Sequence, residues 1–128
     1  MFKDSHIYFR IRKGEAQITH VESGQSETRA CDALAHPRTL MGDFYEIESC
    51  LKELVKQVVP KSLLSSAPIA IVQLLDASEG DYTNVEIRAF REAVLGAGAK
   101  RVFFPESKLL LSASEIKNKK FVELRNNV

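Results

Sequence analysis

Thr83–Glu106, T-N-V-E-I-R-A-F-R-E-A-V-L-G-A-G-A-K-R-V-F-F-P-E, spells out a helix, its start, its stop and the strand that follows. Thr83 with Glu86 three positions on is the capping-box pattern, in which the hydroxyl takes a first-turn amide and the carboxylate reaches back. Val85, Ala89, Phe90, Ala93, Val94 and Ala97 recur at helical spacing and predict one apolar stripe. Gly96 and Gly98 are expected to supply the left-handed conformation that ends a helix at low cost. Arg101–Phe104 then reads as a short buried strand closed by Pro105. The whole is an α-then-β unit of an open sheet.

Working back toward the start, Ile69–Leu75 is a continuous apolar run between Pro68 and the turn-rich Asp76–Asp81. A strand without alternation is buried on both faces, which requires cover above and below a partly parallel sheet. Before it, Asp43 is placed to cap a helix carrying Phe44, Ile47, Leu51, Leu54, Val55 and Val58 on one face, with Pro60 at its end. His36–Gly42 reads as a crossover loop. In the first third, Ile7, Phe9 and Ile11 alternate with His6, Tyr8, Arg10 and Arg12, and Ala16, Ile18 and His20 repeat the alternation after a turn at Arg12–Glu15. Ser23–Ser26 is a second turn, and Thr28–Leu34 is read as a third strand. At the other end, Leu109–Ile116 is expected to be a short last helix, and Lys117–Val128 a polar tail with an apolar patch at Phe121, Val122 and Leu124.

The order is therefore β-β-β-α-β-α-β-α, a mixed five-stranded α/β sheet of the ribonuclease H-like kind. One domain over residues 1–116 with a tail at 117–128 accounts for all 128 residues. Hydrophobic content of 45% with 27% charged residues suits a globular chain. A net charge of +1 gives no long-range attraction to nucleic acid or anionic lipid, so no nucleic-acid partner is expected. No run approaches the roughly 20 apolar residues of a membrane helix, so a soluble, cytoplasmic chain without a membrane span is expected. Cys31 and Cys50 are too few for a disulfide framework and lack metal-ligand spacing, and His6, His20 and His36 lie far apart in sequence, so no metal site is expected.

The Thr83–Glu106 run also resembles the V-E-R-R-A-x-R-E-(S/A)-A-x-x-A-G-A-x-x-V-(Y/F)-L-I-E-E-P segment of MreB, the bacterial actin-like ATPase family. Arg88, Ala89, Arg91, Glu92, Gly96–Ala99, Val102 and Glu106 fall in register without a gap. Met41–Phe44 and the helix after it are similar to the D-G-V-I-A-D-F-x-x-(T/A)-E-x-M-L stretch of the same family, so the likeness spans Gly42–Ala113. It implies the first ribonuclease H-like half of an actin-like ATPase. In that family the opening strand turn carries a phosphate loop, D-x-G-T-x-N, whose glycine lets amides approach phosphate and whose Asp helps hold Mg²⁺. Here Tyr8 stands at the Asp position and Arg10 at the Gly position. Gly96-Ala97-Gly98 ends a helix and so offers carbonyls rather than an amide cradle. ATP binding is accordingly not expected, and no cofactor is.

Glu86 aligns with the glutamate that polarises the attacking water in this family, a role that needs a bound γ-phosphate and Mg²⁺; its other role is the capping box. Where the family has E-E-P-x-A-A-A, this chain has Glu106–Ala113 with Leu109, Leu110 and Leu111 in place of small residues. The leucines either pack as core or cover a surface the missing second half would occupy. The expectation is a non-catalytic MreB-like domain acting through protein contacts or self-association, linked to cell shape or envelope assembly. Its candidate contact residues are Arg10, Arg12, Lys13, Leu109, Leu110 and Leu111. The alternatives are a residual ATPase using Glu86, completed by oligomerisation, and a ribonuclease H-like nuclease drawing on Asp43, Asp76 and Glu106.

Overall fold

A computed structural model describes residues 4–36, 41–60, 67–76 and 83–124. The turn expected at Asp76–Asp81, most of the His36–Gly42 loop and the last four residues of the tail lie wholly or largely outside these. In chain order the elements are β1 (His6–Arg12), β2 (Glu15–His20), β3 (Gln25–Ala30), a 3-10 turn (Asp32–Ala35), α1 (Phe44–Val58), β4 (Ile69–Leu74), α2 (Asn84–Gly96), β5 (Arg101–Phe103) and α3 (Ala113–Lys117). The strands form one mixed sheet of order β3-β2-β1-β4-β5. β1, β2 and β3 pair antiparallel, while β4 runs parallel to both β1 and β5. Gly14, at φ +82°, makes the β1–β2 turn in the left-handed region where a side chain would strain the backbone.

One face of the sheet carries the main core. Ile7, Phe9, Ile11, Ala16, Ile18, Ala70, Val72 and Leu74 are buried there beneath α1 and α2. α1 contributes Ile47, Leu51, Leu54, Val55 and Val58, and the Asp43 side chain accepts from the Glu46 amide at 3.2 Å to start it. Helix α2 begins with the capping box: Glu86 N donates to Thr83 Oγ1 at 3.1 Å, and Thr83 N donates to Glu86 Oε1 at 3.1 Å. Its buried residues are Ile87, Phe90, Ala93 and Val94. Phe90, Ala93, Val94 and Ala97 of the expected stripe are buried; only its start differs, where Val85 faces solvent and Ile87, one turn before Phe90, takes the inner position. Gly96 is the last helical residue, and only Gly98 of the pair has positive φ. A Cβ at Gly96 would meet the Glu48 carboxylate, so the glycine makes room for α1 instead of reversing the chain.

The opposite face is covered thinly. Tyr8, Ile69 and Ile71 are buried under Leu111 and Ile116, with Phe103, Phe121 and Val21 packed at the margin. All six residues of β4 are buried because both faces are covered. Two sequence expectations fail on the elements themselves. β3 is Gln25–Ala30, entirely exposed at the sheet edge, and the residues that suggested a later strand reach the core otherwise. Leu34 and Cys31 do so from the 3-10 turn and the bond before it, because a turn anchored by one leucine buries apolar surface without a ladder. Charged and polar side chains along β3 also discourage edge pairing.

The last helix is Ala113–Lys117 and not Leu109–Ile116. Its start is set by a second capping box, Ser112 with Glu115. The leucines before it lie in irregular chain, with a bend at Leu109. Chain beyond α3 returns to the sheet: Pro105 bridges Glu123, Leu124 N donates to Phe104 O at 2.9 Å, and Lys119 Nζ sits 4.6 Å from the centre of the Phe103 ring. Cys31 and Cys50 are joined in a disulfide that ties the end of β3 to the middle of α1. Two cysteines make no framework, yet they make this one staple. Among the described residues, no helix is long and apolar enough to cross a membrane.

Candidate functional site

β1 and β4 pair so that Arg10 lies opposite Gln73 and Tyr8 opposite Ile71. Alternation then places Tyr8, Arg10 and Gln73 together on the thinly covered face. Gln73 is 1% exposed, a polar side chain in an otherwise apolar strand, so its amide must be satisfied internally. It is. The Tyr8 hydroxyl donates to Gln73 Oε1, and Arg10 Nε donates to the same oxygen at 3.0 Å. Gln73 Nε2 donates to Ser107 O at 3.0 Å and to Leu109 O at 2.8 Å. Both lone pairs and both hydrogens of the amide are therefore used, and its orientation is set because backbone carbonyls can only accept.

The network continues into residues 107–111. Arg10 Nη2 donates to Lys108 O at 2.9 Å, and Leu111 N donates to the Tyr8 hydroxyl at 3.1 Å. Three side chains thus hold the backbone of an irregular segment flat over the sheet. Burial pushes the Tyr8 pKa above 10, against the lowering influence of the Leu111 amide and of Arg10, and keeps the phenol a donor. What this arrangement does chemically is close a sheet face: space beside the β1 backbone is taken by a phenol, a guanidinium and an amide.

The sequence-predicted residues separate into two groups. Arg10 and Leu109–Leu111 are brought together, but Arg10 is engaged from two of its nitrogens and is not a free cation of the hairpin. Arg12 and Lys13 remain exposed on the β1–β2 turn, where the Lys13 amide donates to Asp76 Oδ2 at 2.6 Å. Leu111 is buried, whereas Leu109 and Leu110 are 78% and 70% exposed. The expected single basic-and-leucine surface is therefore divided, because the network turns Arg10 and Leu111 inward. Glu86 is spent in the α2 cap. Asp43 caps α1 and Asp76 holds a turn amide. Among the described residues, no group of three or more His, Cys, Asp or Glu could hold a metal ion.

Gln73 belongs to no sequence motif. The signal was present: a lone amide within a seven-residue apolar run needs partners that only a neighbouring strand can supply. A second cluster had no signal at all. His6 N and Nδ1 both meet the Glu22 carboxylate at 2.7 Å, while His20 Nε2 stands 3.7 Å from it, beyond hydrogen-bond length. Burial tends to raise the Glu22 pKa, but the hydrogen bonds from His6 prevail and it lies below the usual 4.5.

Fold and site together describe an α/β protein with a mixed five-stranded sheet, one face of which is sealed by a polar network. No protein-family model matches the chain. It belongs to the family of an Escherichia coli (strain K12) protein described as "Uncharacterized protein YjaA", to which it is 32% identical over 98 residues, 73% of this chain and 76% of that one.

Proposed function

We propose that this chain is a non-catalytic, ribonuclease H-like domain related to the first half of MreB, working through protein contacts in the cytoplasm, in cell shape or envelope assembly. The strand order β3-β2-β1-β4-β5, with β2 antiparallel to its neighbours and helices on the β4 and β5 crossovers, supports the fold half of that reading. The observation that carries the functional half is the Tyr8–Gln73–Arg10 network. The two residues that the MreB resemblance sets in place of the phosphate loop's Asp and Gly are both hydrogen-bonded into the packing of residues 107–111. A triphosphate at that turn would have to displace an arginine held by two acceptors and break a buried amide's bonds, each an expensive loss in a low-dielectric setting.

Contacts with a protein partner or a second copy fall to the groups left outside. Leu109 and Leu110 are exposed, as is Val122 at 70%, and Glu106 N donates to Val122 O at 2.6 Å, which ties the chain just before the leucines to the tail. Arg12 and Lys13 supply charge at the hairpin.

Isothermal titration with Mg·ATP tests the reading. No saturable heat is expected up to millimolar nucleotide, and micromolar binding would restore the ATPase alternative with Glu86 as its base.

A further inference from the structure

A cleft of about 230 Å³ opens beside the Cys31–Cys50 bond, lined by both cysteines with Arg29, Asp32, Glu46 and Ser49. Cys31 is 5% exposed, while Cys50 on α1 is partly open to solvent. The turn that follows Cys31 has anchors of its own. Leu34 is fully buried, Cys31 N donates to Gly14 O at 2.8 Å, and Gly14 N donates to Leu34 O at 3.2 Å. Neither access to the bond nor its breakage therefore requires the fold to open. A disulfide with both cysteines enclosed differs on both counts, since a thiolate reaches it only through unfolding.

We propose that Cys31–Cys50 is a thiol-exchange site, cycled in the folded protein by a low-molecular-weight thiol of the glutathione class entering through this cleft. Arg29 is the one cation among the lining residues and suits a carboxylate of such a thiol, while Asp32 and Glu46 suit its ammonium group. The incoming thiolate attacks Cys50 Sγ, on the more exposed of the two cysteines. A bond forms between the two, the Cys31–Cys50 bond breaks, and its electron pair leaves on Cys31 Sγ, which takes a proton from water. A second thiolate attacks the sulfur of the first, releasing the small-molecule disulfide and Cys50 as a thiolate that is then protonated. Two thiols are oxidised and one protein disulfide is reduced by two electrons. The dithiol form removes the covalent tie between α1 and the end of β3 while Leu34 keeps the turn in place. In a thiol-rich compartment, where a fixed disulfide is uncommon, such a bond is a reporter of redox state.

The full chain is incubated with reduced glutathione, quenched by alkylation and weighed by mass spectrometry. Reduction should be first order in glutathione and unchanged by urea below the unfolding transition. A rate that climbs with urea in step with the unfolded population would overturn the proposal. Given glutathione disulfide, which brings its own oxidised sulfur and releases one reduced glutathione, the C31S variant should form a glutathione adduct at Cys50, and the C50S variant should form one at Cys31 at least tenfold more slowly; equal rates count against the cleft. R29A keeps both cysteines. It should slow glutathione roughly threefold, the size of an exposed ion pair, and leave 2-mercaptoethanol unaffected. Equal slowing of the two thiols would assign Arg29 no part in recognition and defeat the ligand class.

Discussion

The Tyr8 hydroxyl and the Gln73 side-chain amide meet across the β1–β4 pairing, buried, on the face of the sheet opposite the main core. Neither would be tolerated there alone. Together with Arg10 they form a polar seam whose remaining bonds reach the backbone of residues 107–111. The seam, more than hydrophobic area, positions that segment, because only Leu111 within it is buried.

Q73L removes the hub while preserving volume and leaves the Ser107 and Leu109 carbonyls without their donor. Leaving buried polar groups unpaired costs about 1–3 kcal/mol, so a loss of about 3 kcal/mol is expected for this multiply bonded side chain. Urea denaturation measures it. Amide exchange should accelerate in residues 107–111 before it does in α1.

Tyr8 makes stability fall at alkaline pH. Its folded pKa is raised above 10 by burial, so the folded state holds the proton more tightly than the unfolded chain does. The resulting stabilisation is fully present below pH 10 and is lost as pH rises through the folded value. Y8F should abolish this dependence and cost about 1 kcal/mol at neutral pH, through the lost hydroxyl bonds. Denaturation series at several alkaline pH values compare the two.

Glu22 acts with the opposite sign. Its folded pKa is depressed below 4.5, so its contribution is present above that pH and disappears as pH falls through the folded value. E22Q should flatten the acid limb of a stability–pH profile and leave the alkaline limb unchanged.

Thr83→Ala tests the assignment of Glu86. Loss of an N-cap hydroxyl costs about 1 kcal/mol, and half of the reciprocal box goes with it. The expected result is a lower unfolding midpoint with α2 fraying first, seen as faster exchange of its early amides.

Replacing both cysteines, C31S with C50S, removes a loop closure spanning a sequence separation of 19 residues. Chain-entropy reasoning puts the cost at about 3 kcal/mol, equivalent to a midpoint lower by roughly 10 °C. The variant should still fold, because Leu34 and the Gly14 bonds hold the turn without the bond. Calorimetry under oxidising conditions, against the wild type, measures the difference.

Local pattern alone determined the kind and order of β1, α1, β4 and α2. Alternation in Ile7–Ile11, helical spacing in Phe44–Val58, the unbroken run at Ile69–Leu74 and the Thr83–Glu86 box each express forces acting within a few residues of chain. Where a partner across the sheet governs the outcome, sequence carried little. β3 has no apolar pattern and exists because β2 offers it a ladder. Gln73 reads as a blemish in a strand until Tyr8, Arg10 and two distant carbonyls surround it. His6 and Glu22 meet, and Cys31 and Cys50 bond, only because strand pairing and helix packing carry them together. Arg10 and Leu111 resembled surface residues because burial of a polar or lone apolar group is set by what lies opposite, and what lies opposite is decided by the tertiary structure.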